Sequence, residues 1–151
     1  MQELKKALNR FLVDVFQDIL KTEEHCLSKG AYRNLSIHEM HVIEAVLQGE
    51  ADNSNAAAEI AATLGITAGS LSVAAAILER KGYVSRIRDE ADRRRVRLYL
   101  TPSGRRAAAL HQLFHDELVE DVANNLTDEE LKALVRGLAS LKAFFQYRAS
   151  R

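Results

Sequence analysis

The stretch AAAEIAATLGITAGSLSVAAAILERKGYVSRIRDEADRRRVRLYLTPSGRR, residues 56–106, decides how this chain folds. Its first half reads as a pair of short helices. Ala58, Ala61 and Ala62 are small where two helices must approach closely, and Gly65 supplies a tight turn. Ile60, Leu64, Ile66, Leu71 and Leu78 recur as one internal stripe. Thr67 is placed to cap the second helix and Gly82 to close it. The second half carries the only β signal. Residues 83–88 and 96–100 are β-branched or aromatic alternations joined by the charged tip DEADRRR.

That hairpin is where the charge lies. Residues 80–106 hold ten of the 21 Lys and Arg against three acids (Asp89, Glu90 and Asp92), a local balance of +7 that a net charge of zero conceals. Concentrated positive charge beside a helical pair suits a polyanion, and double-stranded DNA is the partner it implies. The second helix of the pair presents Thr67, Ala68, Gly69, Ser70, Ser72, Val73 and Ala76, a small and nearly neutral face. Such a face fits a major groove about 12 Å wide, with hydroxyls for bases or phosphates and methyls for thymine. It offers no strong bidentate contact, so modest base specificity is expected from it. Arg86, Arg88, Arg93, Arg94, Arg95 and Arg97 flank the ribbon and its tip, a wing suited to the narrow, electronegative minor groove. Asp92 reads as the partner that orients Arg94 and stiffens the tip.

Working outward, helices are predicted on both sides. Leu4, Leu8, Phe11, Leu12, Val15, Phe16, Ile19 and Leu20 give an amphipathic helix over about residues 2–28. Ser36-x-x-Glu39 is a capping box opening a second helix to about residue 47, and a third spans about 55–64. Thr101-Pro102 starts a fifth helix to about residue 124, and Thr127-x-x-Glu130 caps a sixth with Leu131, Leu134, Val135, Leu138, Leu141 and Phe145 on one stripe. The fold class is mainly α: a winged helix-turn-helix over residues 36–101, within one domain of residues 1–151. The terminal apolar stripes exceed what one small core needs. Residues 2–30 and 104–148 are therefore expected to pack against a second copy as a homodimer.

Several classes are excluded or disfavoured. No apolar run approaches the roughly 20 residues that cross a bilayer, so no membrane partner is expected. The N-terminal MQELKKALNRFL lacks the apolar core of a signal peptide, and a lone Cys26 fits a reducing compartment; a cytoplasmic location is expected. No Gly-rich phosphate loop, Cys-x-x-Cys, His-Glu-x-x-His or nucleophile elbow occurs, so the chain does not read as an enzyme. Asp128, Glu129 and Glu130 open a helix, where they complement its dipole.

GITAGSLSVAAAILERKGYVSRI (65–87) and DEADRRRVRLYLTPSGR (89–105), followed by a long helix, resemble the MarR family of winged helix-turn-helix regulators. The Asp92-Arg93-Arg94 triplet and Leu98-x-Leu100-Thr101-x-x-Gly104 match the family's wing. The resemblance implies a dimeric repressor on a pseudo-palindromic operator, with Arg93 or Arg94 in the minor groove. Within that family, SIHEMHVIEAV (36–46) and residues 78–119 are similar to the repressors of fatty-acid synthesis genes, which use acyl-acyl-carrier-protein as corepressor. This implies no required cofactor, but an acyl effector and a carrier-protein partner. Phe11, Val15, Ile19, Val42, Leu110, Leu113 and Phe114 are the lining such a chain would meet; the same residues also serve as plain core. A competing effector is zinc. His111 and His115 stand four apart on one helix face, and His41, with Glu23, Glu24 and His25 at the end of the first helix, supplies further ligand types, Glu24 being the carboxylate assigned. A regulator responsive to small phenolic ligands, and a ligand-free DNA-binding scaffold or protein-interaction module, complete the alternatives.

Overall fold

A computed structural model describes residues 1–149. The order is α1 (Gln2–Lys29), α2 (Ile37–Ala51), α3 (Ala57–Leu64), α4 (Ala68–Arg80), β1 (Val84–Arg88), β2 (Val96–Leu100), α5 (Pro102–Asn124) and α6 (Asp128–Ala149). The chain forms two compact units, Met1–Leu110 and His111–Arg151.

In the first unit the core is built from α2, α3, α4 and the ribbon. Met40, Ile43, Val46, Ile60, Leu71, Leu78, Val84 and Leu98 are its largest fully buried side chains. Burying each such side chain contributes about 1.5–3 kcal/mol, and this set holds the reading elements together in one compact unit. The local signals that start each helix are satisfied. The Glu39 N–H donates to Ser36 Oγ at 3.2 Å and the Ser36 N–H to Glu39 Oε2 at 2.9 Å. Thr67 Oγ1 accepts from the Ser70 N–H at 3.1 Å. Gly65 ends α3 with φ +66°, a left-handed turn that glycine adopts without strain. The chain then bends by 108° into α4, within the crossing range of helix-turn-helix pairs. No single helix among the described residues is long and apolar enough to cross a membrane.

β1 and β2 pair antiparallel from Val84↔Leu100 to Arg88↔Val96. Tyr83, Val84, Leu98 and Leu100 bury their side chains and root the ribbon in the core. Where the ribbon meets α5, Thr101 Oγ1 accepts from the Gly104 N–H at 3.1 Å and donates to the Gly82 carbonyl at 2.6 Å. A Cβ at Gly104 would fall on the Tyr83 carbonyl oxygen, so only glycine permits this close approach.

Three local expectations are corrected. α2 runs on to Ala51 rather than stopping near residue 47. Its Gly49 is a packing position: a Cβ there would lie 2.7 Å from Ile60 Cδ1. Ile66, expected on the internal stripe, is 38% exposed, because the turn after Gly65 swings it out of the core. Ala58 and Ala62 face solvent, and the small residues buried on α3 and α4 are Ala61 and Ala75, each at most 4% exposed.

The second unit contains the rest of α5 and α6. Thr127 caps α6, with its N–H and hydroxyl donating to Glu130 Oε2 at 2.9 and 2.8 Å. These bonds hold the Glu130 carboxyl below its usual range. Val119, Val135, Leu138, Phe144 and Phe145 are each more than half exposed. So are Leu4, Leu8, Phe11 and Phe16 on α1 of the first unit.

Candidate nucleic-acid interface

Two elements of the first unit compose the interface. The N-cap Thr67 and, on α4, Ala68, Gly69, Ser70, Ser72 and Val73 are all exposed, and Val73 reaches 62%. Thr67 and Ser70 also bond each other, Oγ1 to Oγ at 2.9 Å, which fixes their hydroxyls at the helix start. The face carries no charge. Beside it lies a groove of about 420 Å³ bordered by His38, His41, Val42, Ile66 and Val73. It is this groove that Ile66 faces.

The wing tip is a folded turn. Asp89 Oδ1 accepts from the Ala91 and Asp92 N–H groups at 2.8 and 3.3 Å, and Asp92 Oδ1 accepts from the Arg94 N–H at 3.0 Å. The Arg95 N–H donates to the Asp92 carbonyl at 2.9 Å. Asp92 therefore engages the backbone of Arg94, not its guanidinium. That leaves the Arg94 side chain directed by the turn and its charge available.

The structure divides the cations into two sets. Arg86 pairs with Glu79 (Nη2–Oε2 2.6 Å), Arg95 with Glu59 (3.2 Å), Arg97 with Asp89 (2.6 Å), Arg105 with Glu50 (2.7 Å) and Lys81 with Glu39 (2.8 Å). Arg88, Arg93 and Arg94 are exposed, and no carboxylate pairs with them among the described residues. The pairing also moves proton equilibria. The Arg86 guanidinium holds the Glu79 carboxyl below its ordinary range. Arg97, with the Ala91 and Asp92 amides, does the same for Asp89, while Asp89 raises Arg97. Of the six arginines that the sequence places on the wing, Arg86, Arg95 and Arg97 thus have their charge compensated within the protein. Composition counts charges but not partners: Arg95 meets Glu59 from far along the chain, and Arg97 meets Asp89 only across the folded hairpin.

The remaining sequence-derived positions are distributed as follows. Val42 is 4% exposed within the core of the first unit, whereas Phe11, Ile19 and Leu110 lie on its surface and Val15 is half-buried. In the second unit Leu113 is exposed and Phe114 half-buried. His111 and His115 face each other with ring centroids 4.6 Å apart. Glu24 is exposed, and it is the neighbouring Glu23, buried, whose Oε2 lies 3.8 Å from His41 Nε2. Leu27 and Glu23 share the inward face of α1, four residues apart, which turns Glu24 outward. Cys26 is likewise exposed.

A helix-turn-helix whose second helix is small and neutral, flanked by a rooted ribbon with a cationic tip, defines a winged-helix DNA-binding protein. A family model described as the MarR family matches residues 34–95. Among solved structures, the chain is similar to Streptococcus pneumoniae FabT in complex with DNA. The identity is 33%, the TM-score 0.86, and the match covers 94% of this chain and 97% of that one. It shares its fold with a MarR family protein from Bacillus stearothermophilus (17% identity, TM-score 0.77, covering 97% and 98%). The same holds for S. aureus MepR in its DNA complex (20% identity, TM-score 0.75, covering 91% and 97%). No curated protein matches the chain. The chain belongs to the MarR family, and it is a DNA-binding transcriptional regulator.

Proposed function

We propose that this regulator is a homodimeric repressor of fatty-acid or lipid synthesis genes, working in the cytoplasm on a pseudo-palindromic operator under an acyl effector. The observation that carries the DNA mode is the set of unpaired, exposed arginines, Arg88, Arg93 and Arg94, beside the neutral face of α4. Thr67, Ala68, Ser70, Ser72 and Val73 meet the major groove, while the tip arginines meet the minor groove and its phosphates. Arg86 and Arg95 contribute less, because each already has a carboxylate. The dimer is supported by the exposed aliphatic and aromatic stripes of α1 and α6, since apolar patches of that extent are usually covered by a partner.

The lipid reading is supported by 33% identity to FabT, together with the resemblance of residues 36–46 and 78–119 to fatty-acid-synthesis repressors. Phe11, Val15, Ile19, Val42, Leu110, Leu113 and Phe114 are the residues that the sequence assigns to the acyl chain, and Val42, 4% exposed, is the one of them buried in the core of the first unit. An effector acts only through unequal affinity for DNA-competent and incompetent states. The test is binding of a duplex selected by the protein, measured with and without long-chain acyl-acyl-carrier-protein. A shift in affinity of about tenfold or more, with no shift from the unacylated carrier, is the expected result. No shift overturns the lipid reading and leaves the regulator class intact.

A second reading is a zinc-responsive regulator, favoured by Glu23 and His41 standing 3.8 Å apart in the first unit. Carboxylate and imidazole are both zinc ligands, at about 2.0–2.2 Å when bound. Calorimetric titration with zinc would show saturable binding that His41→Ala weakens, and its absence would remove this reading.

A further inference from the structure

Asn55 belongs to none of the helices, yet it is 2% exposed and every polar atom of its side chain is used. Its Nδ2 donates to the Leu98 carbonyl at 2.8 Å, while its backbone carbonyl accepts from the Leu98 N–H at 2.9 Å. Its Oδ1 accepts from Arg97 Nη1 at 2.8 Å. Arg97 turns a second edge, Nε, to Asp89 Oδ2 at 2.6 Å. Asp89 in turn gathers the Ala91 and Asp92 amides, and Asp92 gathers the amide of Arg94. A continuous hydrogen-bonded line therefore runs from the residue that leads into α3 to the tip that carries Arg93 and Arg94.

Two features separate this line from an ordinary surface ion pair. The side chains of Arg97 and Asp89 are only 21% and 11% exposed, so water competes weakly for them. Arg97 also spends its planar guanidinium on two partners in different elements, which a lysine ammonium cannot reproduce with the same geometry. Its charge faces inward and is compensated by Asp89. A phosphate would have to displace both partners to use it.

We propose that Asn55, Arg97 and Asp89 form a positioning relay that fixes the angle of the wing tip relative to α4, and that Arg97 acts on DNA through the tip rather than by touching it. The proposal rests on the reading that the tip arginines contact DNA. Arg97→Lys is the decisive variant. It keeps the formal charge, so a residue serving as a simple cation is spared, whereas the fork that joins Asn55 to Asp89 is lost. Asp89→Asn is the second variant; it keeps the shape and removes the pairing. The probe is a duplex recovered by the wild-type protein from a randomised library.

The expected result in both variants is about a tenfold loss of affinity. The log–log salt slope should flatten by about 0.9 for each phosphate the tip releases. Substituting base pairs beneath the wing should cease to matter, while base pairs beneath α4 keep their effect. A merely structural role lowers affinity equally on every sequence and leaves the slope alone; that outcome, or wild-type behaviour, overturns the relay. The double variant Arg93→Ala/Arg94→Ala separates the two levels. A flatter slope there with a wild-type slope in Arg97→Lys rejects the relay alone. An unchanged slope in the double variant rejects the wing contact and the relay with it.

Discussion

α4 and the wing belong to the same compact unit and are opposite in character. The exposed face of α4 is neutral, short in its side chains and held by caps that lie within a few residues of one another. The wing is cationic, long in its side chains and held by partners on α3, α4 and the approach to α3. The difference assigns them different work. A neutral face adds little affinity but can reject bases by shape. A cationic tip adds affinity through counterion release and reads little sequence directly. Within the wing itself a second contrast holds, between arginines already matched to a carboxylate and those left for an external anion.

The largest expected effect follows from that second contrast. Arg93→Ala/Arg94→Ala should weaken duplex binding by more than tenfold and flatten the salt slope by nearly two, from about 0.9 per phosphate. Fluorescence anisotropy at several salt concentrations measures both. Arg86→Ala should lose less than Arg94→Ala under the same conditions, because Glu79 already neutralises Arg86. Equal losses would erase the distinction between paired and unpaired arginines. Glu79→Gln sharpens it from the other side: releasing Arg86 should tighten binding and steepen the slope by about one phosphate.

Effects on stability come next. Gly104→Ala drives a methyl onto the Tyr83 carbonyl where the ribbon joins α5. A loss of about 1–3 kcal/mol is expected for such overpacking, read as a lower midpoint in denaturant. The smallest effect is on pH. Glu79 and Asp89 have folded pKa values below their ordinary 4.5 and 3.8. Their stabilising contribution is therefore complete above those ordinary values and is lost as pH falls from there through the lower, folded ones. Asp89→Asn should remove its part of that acid-side decline, and an unchanged acid unfolding curve would show that the Arg97–Asp89 pair adds nothing to stability.

How far the fold was legible depends on the range of the signal. Ser36 with Glu39, Thr67 with Ser70, and Gly65 are interactions among near neighbours, so the sequence displays both partners together. The helix order follows from them, and the ribbon from the β-branched and aromatic alternation of residues 83–88 and 96–100. Ile66 was misread because the αL turn after α3 resets the helical phase that its spacing assumed. Glu23 and Glu24 offer the same carboxylate in sequence, and only the seating of α1 shows which one faces His41. At the wing, composition located the charge but could not say which arginines were already satisfied. Arg95 finds Glu59 and Arg97 finds Asn55 only after α3 and β2 are brought together. Asn55 itself was read as the start of a helix, a common place for asparagine. Its use as a tie to β2 has no local signature.

The most direct test of the account is the salt dependence of duplex binding by the wild-type protein and by Arg93→Ala/Arg94→Ala, with Val73→Ala on α4 as the comparison. The account predicts a steep slope for the wild type, a shallower one when the tip is removed, and an unchanged one when only the α4 face is altered. A slope that is flat in the wild type, or the same in all three proteins, would contradict it.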